Sequence, residues 1–270
     1  MTLFGFSLLT ALVAADDAYD STPDPVVAAI AYTGRTPPDG SLDCAEVASG
    51  DLDQELCEVE SLVRSAAEQG AQLIVLSEGS FELEVPEALP REGGVPDAEG
   101  APALWSMANL AAELGVFMVV PMHTRDRGET PYSSLVAFGP RGRAVGIHHK
   151  VELYSAEHDE FAPGEQFGTF DTPWGEVAMM LCSDVYAEPL LHRAMERRGV
   201  DIVLLSSLWT VPGAQRWQAA LAHDWGMYVV AANGAGGEGR GSGVYAPDGT
   251  TLASEDSGFD ATVISSLRTW

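Results

Sequence analysis

The stretch "VAMMLCSDVYAEPL" (177–190) runs an apolar segment straight into a cysteine and then into the polar pair Ser183-Asp184. A buried cysteine normally fills space as a small hydrophobe. Cys182 instead falls where a strand stops and a turn begins, the place where α/β folds collect their active residues. Two more polar residues share that placement: Glu78 closes "AQLIVLSEG" (71–79), and Lys150 closes "VGIHHK" (145–150).

Working outward, "VVAAIAYTG" (26–34) reads as a buried strand, and "VFMVVPMH" (116–123) as another. Leu56, Val59, Leu62, Val63, Ala66 and Ala67 recur at helical spacing until Gly70. A Pro/Gly/Glu-rich loop (85–101) precedes a second helix with Leu104, Met107, Ala108, Ala111 and Leu114 on one face. "SSLVAFGPRGRAVGIHHK" (133–150) predicts a hairpin turning at Gly139-Pro140-Arg141-Gly142. Further strands are predicted at 177–181, 202–205, 228–232, 243–246 and 262–266, with helices over 187–198 and 214–226 between them. Such alternation predicts an α/β fold with helices covering its sheets, and the hairpin makes those sheets mixed. There is no internal repeat and no low-complexity linker.

The chain has 270 residues, with 40 acidic against 14 basic side chains and a formal net charge of −26. That surface repels nucleic acid and anionic membranes, so neither is expected as a partner. The apolar run from Leu3 to Ala15 is too short to span a bilayer and suits the core of a signal peptide, with cleavage after Ala15. No Lys or Arg precedes it. The expected organisation is a leader at 1–15, a lead at 16–25 and one domain over 26–270, exported to the periplasm or secreted. Three cysteines (Cys44, Cys57, Cys182) fit one disulfide and one free thiol in an oxidising compartment. Cys44 and Cys57 could close a short loop worth about 3 kcal/mol, leaving Cys182 alone.

A thiol with an ordinary pKa of about 8.5 is mostly protonated near neutrality and needs a base or a cation to act as a nucleophile. A carboxylate such as Glu78 could take its proton. The Lys150 ammonium could favour the thiolate and hold an oxyanion, with the Ser183 amide as a second donor. Such a set can attack an amide or nitrile carbon and leave a thioester or thioimidate for water to resolve.

The order Glu78, Lys150, Cys182 resembles the nitrilase superfamily of carbon–nitrogen hydrolases, over about residues 26 to 266. That resemblance implies a four-layer α-β-β-α sandwich. It also implies Glu78 as general base, Lys150 as stabiliser of the oxyanion and intermediate, and Cys182 as nucleophile. Asp184 matches a commonly acidic neighbour. Glu157, in "HHKVELYSAE" (148–157), matches a second glutamate that supports the lysine, with Glu160 as fallback. Within the superfamily, "TFDTPWGEVAMMLCSDVY" (169–186), "LLSSLWTVPGAQRWQAALAHDWGM" (204–227) and "VVAANGAGGEGRGSGVYAPDG" (229–249) look like the biotinidase and vanin (pantetheinase) branch. In that branch a tryptophan matching Trp209 lines the pocket. The branch also carries an extra C-terminal domain, and it usually has an aromatic residue after the nucleophile where this chain has the small Ser183.

Other residues read more plainly. His148 and His149 are strand neighbours pointing to opposite faces, so they cannot readily share a metal. The glycine-rich 234–243 lacks the Gly-Lys-Ser/Thr ending of a phosphate-binding loop. Trp217 and Trp225 are predicted as helix core, while Tyr154 and Tyr186 are candidates for the pocket. The expected protein is an exported thiol hydrolase that cleaves a linear amide of a small molecule and needs no cofactor or metal. A nitrilase, which would release acid and ammonia from a nitrile, is the enzymatic alternative. A non-catalytic binding relative of the fold is the other. Dimers and monomers are both compatible with the sequence.

Overall fold

The computed structural model describes residues 23–35, 51–80, 102–124, 130–187, 190–234 and 241–268. The leader at 1–15, Cys44 and the loop at 85–101 lie outside them. Two six-stranded sheets are built from the apolar runs. In the first, β1 (Val26–Ala31), β2 (Leu73–Leu76) and β3 (Phe117–Thr124) lie parallel. The hairpin of β4 (Tyr132–Phe138) and β5 (Ala144–His149) extends the β3 side antiparallel, and β12 (Ala261–Ser266) flanks β1.

The second sheet repeats this plan. Its parallel centre is β7 (Gly175–Leu181), β8 (Ile202–Ser207) and β9 (Tyr228–Asn233). Antiparallel β6 (Thr169–Thr172) borders β7, while β10 (Ser242–Tyr245) and β11 (Thr251–Glu255) continue from β9. Both sheets are mixed because crossover helices join the central strands while antiparallel strands, from hairpins or, at β12, from the far end of the domain, make the edges. Sequence patterning missed β6 and β11. Each is a short edge strand, and β11 is largely exposed, so neither has the apolar run that marks a buried strand.

Strand alternation sorts the core into three slabs. Val27, Ala29, Val75 and Val119 face Val177, Met179, Leu204 and Val230 across the two sheets. Their neighbours Ala28, Ile30, Ile74 and Met118 point the other way, under α1 (Asp51–Glu68) and α2 (Pro102–Leu114). On the far side Met180, Val203, Leu205 and Val229 pack with Met195 of α4 (Leu190–Arg198) and with Ala222 and Trp225 of α5 (Ala214–Trp225). Period-two side-chain direction thus gives the α-β-β-α order of layers. Gly226 ends α5 in a left-handed conformation (φ 64°), and its N–H caps the carbonyls of Ala222 and His223.

Cys57 on α1 is disulfide-bonded and Cys182 is free. Trp225 lies in the core as expected, but Trp217 does not: it is 61% exposed. Both belong to α5, yet eight positions of a 3.6-residue helix turn Trp217 some 80° from Trp225, off the buried stripe. No described helix is long and apolar enough to cross a membrane.

Leu204 is fully buried between the sheets. Leu204→Ala is expected to destabilise the fold by about 2–5 kcal/mol. In urea this will appear as a lower unfolding midpoint with an unchanged slope.

Candidate active site

The two sheets end together at one edge, and the polar residues that close their strands meet there. Glu78 sits in the turn after β2. Ser77 holds that turn: its N–H donates to the Ile30 carbonyl (3.0 Å), its Oγ accepts the Tyr32 N–H (3.0 Å), and its carbonyl accepts the Ser80 hydroxyl (2.5 Å). Gly234, just past β9, passes so close that a Cβ there would lie 2.6 Å from the Glu78 carbonyl oxygen. Lys150 follows β5; its N–H donates to Ser133 (2.8 Å) and its carbonyl accepts the Gly164 N–H (2.8 Å). Cys182 opens a 3-10 turn (Cys182–Ala187) directly after β7. Its φ of 47° lies in the left-handed region, which a residue with a Cβ enters only where its surroundings impose it.

The Lys150 side chain is 1% exposed. A lone ammonium there would lose its charge, but two carboxylates hold it. Nζ donates to Glu157 Oε1 at 2.7 Å and to Glu78 Oε1 at 3.2 Å. Burial pulls the Lys150 pKa down, but Glu78, Cys182 and Glu157 together outweigh it, and the net shift is upward. Glu157, on the short helix α3 (Glu157–Glu160), also accepts the Tyr154 N–H through its other oxygen (2.6 Å). It therefore holds the lysine, while Glu160 lies exposed.

Glu78 bonds both Lys150 and the thiol of Cys182. Burial raises its pKa above the usual carboxylate value, the lysine charge opposes that rise, and the net shift is upward. The Cys182 pKa is pushed up to about 12, first by burial and then by the Glu78 charge. The Lys150 charge favours the thiolate, as expected, but burial and Glu78 outweigh it. That charge is shared between two carboxylates. The Leu208 N–H also favours the sulfur anion by donating to Sγ, and still does not offset burial.

Asp184 joins the two halves of this edge. Fully buried, it accepts the N–H groups of Val151 (2.8 Å) and Glu152 (3.1 Å) on Oδ1. On Oδ2 it accepts the Leu181 N–H (2.8 Å) and His148 Nε2 (2.6 Å). The Gly168 N–H donates to His148 Nδ1 (3.2 Å), so the ring proton sits on Nε2 and points at the carboxylate. His149 turns the opposite way, onto Ser134 (2.8 Å). Ser183 donates its hydroxyl to the Glu152 carbonyl (2.5 Å). Sequence reasoning missed the His148–Asp184 pair. Its signal was there: His148 stands two residues before Lys150, on the same strand face, and Asp184 stands two after Cys182.

A cavity of about 590 Å³ opens beside Cys182. Tyr154, Tyr186 and Trp209 line it as the sequence suggested, and Trp217 joins them. Trp209 is fixed by Asn233 at the end of β9, whose side chain accepts the Trp209 N–H (2.6 Å) and donates to its carbonyl (3.0 Å).

A thiol, a carboxylate and an ammonium thus meet at the joined ends of two mixed sheets stacked in α-β-β-α order. Residues 33–267 match the family described as "Carbon-nitrogen hydrolase", and the chain belongs to that family, within the nitrilase superfamily. It is similar to a nitrilase of Pyrococcus abyssi, at 30% identity over 69% of this chain and 71% of that one. It is similar also to the omega-amidase NIT2-B of Xenopus laevis, at 26% identity over 76% and 79% of the two chains. Mouse pantetheinase matches at 28% identity over 73% of this chain but only 45% of its own length. The special likeness to the vanin branch is thus not upheld above likeness to nitrilases and amidases. The fold is shared with Saccharomyces cerevisiae Nit3, with a TM-score of 0.72, 21% identity and 90% of each chain covered.

Asp184→Asn keeps the shape but turns an NH2 toward two of the four donors. Each donor left unpaired is expected to cost about 1–3 kcal/mol. Thermal unfolding of the variant checks this.

Proposed function

We propose that this carbon–nitrogen hydrolase cleaves a linear amide through a thioester on Cys182. One observation carries the reading: the Cys182 thiol shares the Glu78 carboxylate with the buried Lys150 ammonium. At rest the thiol keeps its proton, so the nucleophile forms during attack. Glu78 takes the thiol proton as sulfur bonds to the amide carbon. The carbonyl electron pair moves onto oxygen, where Lys150 and the Ser183 N–H receive it. Preorganised donors of this kind typically contribute about 10²–10³ each. The intermediate collapses as the C–N bond breaks, and Glu78 hands its proton to the departing nitrogen. Glu78 then deprotonates water, which attacks the thioester, and the C–S bond breaks to return the thiol. Glu157 keeps Lys150 aimed throughout, and no step calls for a metal or cofactor.

A nitrile would enter the same site through a thioimidate, and the similarity to the archaeal nitrilase favours testing one. We also read the Leu3–Ala15 run as an export leader, which accords with a disulfide at Cys57.

The test is ammonia release from paired amides and nitriles by wild type, Cys182→Ala and Glu78→Gln. Cys182→Ala is expected to abolish turnover, and Glu78→Gln to reduce it about 10²–10⁴-fold. Because Glu78 must start unprotonated and its pKa is raised, kcat/KM will fall as pH drops through a value above the usual carboxylate range. No second rise tracking a thiolate is expected until pH nears 12. Whole-protein mass spectrometry after brief iodoacetamide treatment at pH 7 gives an independent reading. Alkylation at Cys182 that slows in Glu78→Gln supports base activation. An unmodified Cys182 in folded protein returns the chain to the binding-relative alternative.

A further inference from the structure

From the cavity beside Cys182 we infer that the substrate's acyl group is an uncharged apolar chain or ring, larger than acetyl, and that acyl groups ending in a carboxylate are rejected. The inference rests on the proposed thiol attack and adds the chemical class of substrate. Direction comes from proton bookkeeping. The leaving nitrogen must take its proton from Glu78, so it departs on the side where Glu78, Lys150 and Glu157 converge. None of these three lines the cavity, which extends from Cys182 toward Tyr186, Leu208, Trp209, Trp217 and Asp224. The acyl substituent, fixed to the same carbon, must point into it.

The lining sets what fits. Leu208, Val211, Tyr186 and Trp217 are between 46% and 64% exposed, an apolar group far above what single surface residues require. All four border the cavity that holds the nucleophile. The volume lies within the usual range for small-molecule pockets and exceeds the need of a two-carbon acyl group. The only charged side chain among the described lining residues is Asp224. Its Oδ1 is shared with His223 Nδ1 at 3.1 Å on the exposed side of α5. No described Lys or Arg lines the cavity to receive a carboxylate, and a net charge of −26 opposes one from a distance.

Aldehydes of matched length test this without needing turnover. The thiol adds across the aldehyde carbonyl: an S–C bond forms, the π pair goes to oxygen, and the thiol proton follows through Glu78. The product is a neutral hemithioacetal whose substituent occupies the acyl side. Hexanal and 6-oxohexanoate are titrated as protectants of Cys182 against iodoacetamide, with alkylation read by whole-protein mass spectrometry. Hexanal is expected to protect at a concentration at least tenfold below 6-oxohexanoate. Trp217→Ala should raise the hexanal requirement about tenfold, and Asp224→Lys should narrow the preference at least threefold. Equal or better protection by 6-oxohexanoate overturns the inference, as does failure of hexanal to protect a thiol that iodoacetamide still labels. If Trp217→Ala leaves protection unchanged but alters the sedimenting mass, the apolar face is a contact between copies and the inference falls. If iodoacetamide never labels Cys182 in wild type, the proposed nucleophile itself fails and the inference goes with it.

Discussion

A buried carboxylate is costly unless its lone pairs are used, and Asp184 uses its own to join two sheets. Through Val151 and Glu152 it holds the loop that follows β5, and through Leu181 it holds the end of β7. Lys150 rides on the first of these segments and Cys182 on the second. One side chain thus ties together the segments that carry the ammonium and the thiol, while Glu78 bonds both groups directly. His148 completes the arrangement by donating from the face it shares with Lys150. Hydrogen bonds to a charged acceptor are stronger than neutral ones, which suits a junction between two separately folded layers.

Around that junction the charges and the burial raise the pKa of the Cys182 thiol. One buried ammonium is balanced by two carboxylates, and its pull on the sulfur is outweighed by burial and the Glu78 charge. Together these keep the thiol protonated. A resting thiolate would be more open to oxidation than a protonated thiol. The protonated thiol avoids that hazard. Cys182 adopts a left-handed backbone where β7 ends, and its thiol bonds Glu78.

Much of this was legible in the sequence because its signals are local. Apolar runs ending in Glu78, Lys150 and Cys182 marked strand ends, and alternating strands and helices marked the layers. Edge strands escaped because β6 and β11 bury too little to carry a run. Trp217 was misplaced because aromatic residues on an amphipathic helix usually face inward, whereas here the helix turn carries it to the mouth of a cavity. The partnership of His148 with Asp184 bridges distant segments, and period-two alternation can show only that His148 and Lys150 share a face.

What the amino-acid sequence determined by itself was the kind of element each segment forms and which residue ends it, since propensity and hydrophobic period act over a few neighbours. It determined the chemical types present at those ends as well: an acid, a base and a thiol. Which carboxylate holds the lysine, which way the thiol's pKa moves, and what lines the cavity were decided only by tertiary structure. Those properties come from burial and from charges brought close by the stacking of two sheets, and neither exists until the sheets have met.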